Sequence, residues 1–176
     1  MKNPVNILKF LETFADPRST VIVGLGNLDR ADDGAGIVLA EQLKVHYSDQ
    51  VFSEKEQSVE SIVLYLLERN DAETFLFIDS ADFGGRPGEV RMFQVEDAKR
   101  FVPAFSTHKV PIALLMELLA QRGKKPILLG IQPESLEFLG KMSISVEKRL
   151  VLLEKLLKRF LRIKSSGYLC SGHFYF

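Results

Sequence analysis

Apolar positions along the chain fall into two kinds of run. Residues 21–23, 75–78 and 127–131 are short stretches free of charge, the pattern of strands buried on both faces of a parallel sheet. Between them, apolar residues recur at helical spacing. Ile7, Leu11 and Phe14 mark one stripe, Val59, Ile62 and Leu66 another, and Val146, Leu150, Leu153, Leu157 and Phe160 the longest. Ile37, Leu39, Ala40 and Leu43 give the helix predicted from 34 to about 47 apolar surface on more than one side, so it should lie on the sheet.

Punctuation residues set the boundaries. Asn3 before Pro4 opens a leader helix, which Asp16, Pro17 and Ser19 end. Ser58 is a cap for a helix to about 69, and Gly123 stops one predicted from about 110 to 122. The last helix runs from 145 to about 163. Residues 51–53 form a short strand, and 89–95, after the Pro87-Gly88 turn, an edge strand. Residues 75–95 read as a hairpin-like unit supplying an antiparallel edge. Strands alternating with helices predict a three-layer α/β/α sandwich, with a mostly parallel, twisted sheet of about five strands and one antiparallel edge strand. The expected organisation is a single domain, 1–176, with a leader helix in 1–18, a core in 20–163 and an irregular tail in 164–176.

Composition narrows the partners. Lys plus Arg equals Asp plus Glu at 23 each, so no net field favours nucleic acid or an anionic membrane. No apolar run approaches the ~18 residues of a spanning helix, and the amino terminus lacks the charge and apolar pattern of a secretory signal. The single cysteine, Cys170, cannot form an internal disulfide. A cytoplasmic protein acting as a monomer is expected.

The candidate chemistry sits after the strands. Gly24-Leu25-Gly26 is a glycine turn between the first strand and its helix, followed by Asn27, Asp29, Asp32 and Asp33. In a parallel sheet the loops after strands share one edge, so Asp33 and Asp79, which ends the strand at 75–79, can lie near each other. His108, in Ser106-Thr107-His108-Lys109, is a candidate for the same edge. Two carboxylates and an imidazole suit a divalent metal such as nickel or zinc, or acid/base work. Each has a plainer reading: Asp32 or Asp33 at a helix start, Asp79 in a strand-end turn, His108 in solvent. A dinucleotide fits poorly, because the third glycine is missing and Asp32 and Asp33 would face a phosphate. Cys170 and His173 are a lone pair in the tail, and His46 falls near the end of a predicted helix.

Four motifs in order resemble those of the hydrogenase maturation endopeptidases: Gly24-Leu25-Gly26-Asn27 with Asp32-Asp33-Gly34-Ala35-Gly36; Ile78-Asp79-Ser80-Ala81-Asp82-Phe83-Gly84 with Pro87-Gly88; Ser106-Thr107-His108; and Leu129-Gly130-Ile131-Gln132-Pro133. The likeness covers roughly 21–161 and is strongest to the type serving hydrogenase 3. It implies an endopeptidase that removes a carboxyl-terminal extension from the nickel-loaded large subunit precursor of a nickel-iron hydrogenase. It also implies that Asp33, Asp79 and His108 are the catalytic and nickel-contacting residues. The nickel then arrives with the precursor, and no permanently bound cofactor is expected. The family is sometimes grouped with aspartic peptidases, but paired Asp-Thr-Gly motifs are absent. Asp82 and Asn27 are candidate supports for the site. Phe101, Phe105, Phe138 and Leu139 flank the cleft, either as core or as a seat for the precursor's tail. Ser53-Glu54-Lys55-Glu56-Gln57 replaces the glycine-rich turn usual in the family and leaves that side of the cleft open to question. Two rival functions use the same residues: a non-catalytic metal- or precursor-binding chaperone module, and a small nucleotide-binding protein.

Overall fold

The computed structural model describes residues 4–69, 71–101 and 111–162. The elements run α1 (Pro4–Phe14), β1 (Thr20–Gly24), a 3-10 turn (Ala31–Gly34), α2 (Ala35–Lys44), β2 (Val51–Ser53) and α3 (Val59–Glu68). They continue with β3 (Thr74–Ser80), β4 (Val90–Phe93), α4 (Val95–Phe101), α5 (Ile112–Gln121), β5 (Lys125–Ile131) and α6 (Ile144–Arg162). The sheet has five strands in the order β2-β1-β3-β5-β4, all parallel except β4 against β5.

Strand alternation divides the core into two layers. Ile22, Leu76, Ile78, Ile127 and Leu129 pack with α1, α2 and α6 on one face. Val21, Val23, Phe75, Phe77 and Leu128 pack with α3, α4 and α5 on the other. Because both faces are covered, the central strands are apolar throughout, which is why their runs stood out. The antiparallel edge strand is present, but it is not the second arm of a hairpin. β5 lies between β3 and β4, since β5 takes the full-length parallel register along β3, from Thr74↔Lys125 to Ser80↔Ile131. β4 is left to pair on the outer side of β5. The chain also turns helical at Val95, the last residue of the span predicted as strand, to form α4. The leader helix and the Ser58 cap are as expected, the Ser58 hydroxyl accepting from the Ser61 N–H. Among the described residues, no helix is long and apolar enough to cross a membrane. The tail with Cys170 and His173 lies outside the described residues.

The order of strands creates a switch point. From β1 the chain passes through α2 to β2 on one side, and from β2 through α3 back across to β3 on the other. Ligand crevices in open α/β sheets form where neighbouring strands send their connections in opposite directions, here between the carboxyl ends of β1 and β3.

Glycines let α2 settle onto that edge. A Cβ on Gly36 would stand 2.1 Å from the Ile78 carbonyl oxygen and 2.4 Å from that of Leu25; one on Gly24 would stand 2.3 Å from the Gly36 carbonyl oxygen. Gly24 is therefore needed for close approach. Gly26 is the one that turns the chain, with φ 130. We predict that Gly36→Ala lowers stability by at least about 3 kcal/mol, since backbone on both sides cannot yield. Gly123→Ala, with φ 74 but open space around it, should cost only about 1–2 kcal/mol. Urea denaturation of both variants checks the difference.

Candidate functional site

The two acids adjacent in sequence do different things. Asp32 is buried and spoken for. Its Oδ2 accepts from the N–H groups of Glu134 and Ser135 (2.8 and 3.0 Å) and from the Ser143 hydroxyl (2.9 Å), and its Oδ1 accepts from the Ser143 N–H (2.6 Å). The Asp32 N–H in turn donates to the Ser135 carbonyl at 3.1 Å. One carboxylate thus clamps the segment following β5 to the turn following β1. Charge-assisted bonds of this kind are about twice as strong as neutral ones. The plainer reading of Asp32, a charge at a helix start, misses this role, because its partners lie 102 to 111 residues away.

Asp33 follows in the same 3-10 turn, 5% exposed, and that turn packs against β3. Asp79 occupies the carboxyl end of β3, also 5% exposed, in register with Gly130. The two acids therefore stand on facing sides of the switch point. Both already have interaction partners. His108 lies outside the described residues, as does Phe105. Among the described residues, no group of three or more His, Cys, Asp or Glu could hold a metal ion. Of the three candidate residues, the described structure thus brings two carboxylates, Asp33 and Asp79, to this edge.

The turn carrying Asp33 is closed by its own backbone. The Asn27 N–H donates to the Asp33 carbonyl (3.3 Å), and the Asp33 N–H donates to that of Arg30 (2.8 Å). Asn27 Oδ1 accepts from the Asp29 N–H at 2.9 Å, so Asn27 holds the turn. In the turn after β2, Glu54 is a brace: its carboxylate accepts from the N–H groups of Gly26 and Val59, both at 3.3 Å. The Glu54 N–H donates to the Gly24 carbonyl at 3.0 Å. That acid joins the turn after β1 to the start of α3, and nothing in its local sequence signals it.

Beyond Asp79, Gln132 organises the next loop. Its Oε1 accepts from the N–H groups of Phe83 and Gly85 (3.0 and 2.9 Å), and its Nε2 donates to Asp82 Oδ1 (3.0 Å). The motif containing Gln132 was legible in the sequence, but its task was not. The Gln132 amide and then the Gly84 N–H hold the Asp82 carboxyl below its ordinary pKa.

A doubly wound core with two buried carboxylates at its switch point places the chain among α/β proteins that act at the carboxyl edge of their sheet. The comparisons are specific. A family model of the hydrogenase maturation proteases matches residues 57–159. The hydrogenase 3 maturation protease of Escherichia coli (strain K12) is 31% identical over 120 residues, 67% of this chain and 75% of that one. The hydrogenase expression/formation protein HupD of Thiocapsa roseopersicina is 29% identical over 145 residues, 77% of this chain; the match spans only 64% of HupD's own length. The crystal structure of the nickel-iron hydrogenase maturation protease HycI from Thermococcus kodakarensis KOD1 superposes with a TM-score of 0.72, at 26% identity, covering 87% of this chain and 99% of that one. This chain belongs to the hydrogenase maturation protease family.

Two predictions follow from the clamps. Asp32→Asn keeps one oxygen and sets an amide against donors, and should lose about 2–4 kcal/mol in urea denaturation. For Asp82, the folded pKa lies below the unfolded one. Its contribution is therefore full at neutral pH and lost as pH falls through the folded value. Because the group is largely solvated, Asp82→Ala should cost under about 1 kcal/mol at pH ~7, with the difference shrinking toward pH ~3 in thermal melts.

Proposed function

We propose that this chain is an endopeptidase that removes the carboxyl-terminal extension of a nickel-loaded nickel-iron hydrogenase large subunit precursor. The observation that supports the reading is that Asp33 and Asp79 are both buried beside the β1/β3 switch point. Family membership and the name of the Escherichia coli relative support the substrate class.

In this reading the metal is part of the substrate. Asp33, Asp79 and His108 grasp the precursor's nickel and thereby orient the nearby peptide bond. For His108, connectivity is the support. α5 feeds β5 through the turn at Gly123, so the amino end of α5, at Ile112, starts from the opposite end of the sheet, the end that holds Asp79. In the hydrolysis a water oxygen adds to the scissile carbonyl and the C–N bond breaks. Both protons of the water pass in turn to the leaving nitrogen, giving a new carboxylate and an extension that leaves with a free ammonium terminus. A carboxylate of the pair, or the substrate's metal, activates that water. The single cysteine supports a cytoplasmic setting, and the chain is proposed to act as a monomer.

Incubation with the cognate precursor, with and without nickel, tests the reading. Wild type should release the extension only from the nickel-loaded form. Asp33→Asn, Asp79→Asn and His108→Ala should each lower the rate by about a hundredfold or more, measured at a temperature where circular dichroism shows each variant folded. Stable binding without cleavage would overturn the peptidase reading in favour of a chaperone module. Equal activity in the variants would overturn the site.

A further inference from the structure

The loop carrying Asp33 and the segment clamped to it form a second feature beside the site. Leu28, Phe138 and Leu139 are 49%, 67% and 73% exposed. The two loops that carry them are held together, since the Leu139 N–H donates to the Asp29 carbonyl at 2.6 Å and the position of a Cβ on Gly140 lies 3.2 Å from the Ala31 Cβ. The Asp32 carboxylate fixes both loops from beneath, through Glu134, Ser135 and Ser143. The result is an apolar ridge on a rigid base, continuous with the turn that presents Asp33.

The same place carries costs that folding alone does not explain. Ala31 (φ 40) and Leu139 (φ 57) are the two non-glycine residues with positive φ among the described residues, and they lie one on each of these two loops. Glycine or asparagine would sit more easily at Leu139. Between Asp29 and Ala31, the Arg30 Nε is buried without a hydrogen-bond partner. Backbone strain, an unsatisfied donor and large exposed apolar side chains gathered at one spot are the mark of a surface kept for binding.

We infer that the ridge of Leu28, Phe138 and Leu139 is the specificity surface that takes an apolar stretch of the hydrogenase precursor as it enters the Asp33/Asp79 edge. The inference rests on the peptidase reading for the identity of the occupant. The occupant is a polypeptide because a substrate cleaved at this edge must run over the adjoining surface. It is apolar there because the three side chains of the ridge are apolar, with the exposed Asp29 and Glu137 beside them at its rim. Leu139 in the left-handed region is accepted because its side chain must stand outward, where a residue without strain would give up the contact.

Strain gives the test a signature that a merely structural role would not produce. Nickel-loaded precursor is titrated onto the full chain as wild type, Phe138→Ser and Leu139→Asn. Kd is read by biolayer interferometry, the rate from single-turnover cleavage at saturating precursor, Tm by circular dichroism and mass by light scattering. Leu139→Asn should match or exceed the wild-type Tm, yet raise Kd at least about tenfold, with the saturated rate within about twofold. Phe138→Ser should raise Kd similarly. An unchanged Kd in both variants, with wild type still cleaving, overturns the ridge and leaves the peptidase reading standing. A wild type that binds but does not cleave, with both variants weakened, overturns the peptidase reading and leaves the ridge standing. A wild-type dimer that the variants convert to monomer, at unchanged precursor Kd, overturns the ridge in favour of self-association.

Discussion

The closeness of α2 to the ends of β1 and β3 is the constraint on which the site depends. Gly36 brings the helix within contact of the Ile78 and Leu25 carbonyls, and Gly24 admits the Gly36 carbonyl in return. With a side chain at either place, α2 and the 3-10 turn before it would lift from the sheet. Asp33 would then no longer stand across from Asp79. Glycines that look like a ligand-cradling loop are, in this chain, spacers that seat an acid.

Around that contact the chain uses carboxylates as fasteners. Asp32 ties the segment after β5 to the turn after β1, and Glu54 ties that turn to the start of α3. Gln132 does the same for the loop beyond Asp79. The proposed task, receiving a metal already held by another protein, is served by such bracing, because ligands must be in place before the ion arrives. Burial of Asp33 and Asp79 in a surface otherwise closed by backbone hydrogen bonds is consistent with that task.

Much of this was legible in the chain itself. Runs without charge at 21–23, 75–78 and 127–131 could only be central strands, and Asp33 and Asp79 were placed at one edge by the rule that loops after parallel strands share a side. Four motifs in order were enough to point to the family. What escaped the sequence was long-range. The partners of Asp32 are more than a hundred residues away, and the role of Glu54 depends on a turn 28 residues earlier. β4 was read as the arm of a hairpin because its neighbour in sequence is β3, whereas the register of β5 along β3 decides the pairing. Gly24 was read as part of a glycine turn, and its purpose proved to be space.

The proposed reading of nickel on a docked precursor requires that the coordination of that metal change. Nickel K-edge X-ray absorption on the precursor alone, on its freeze-trapped complex with wild type, and on the complex with Asp33→Asn measures this directly. Added oxygen or nitrogen ligands on docking, reduced in the variant, is the predicted result. A nickel environment identical in all three samples would contradict the claim that Asp33 and Asp79 meet the metal.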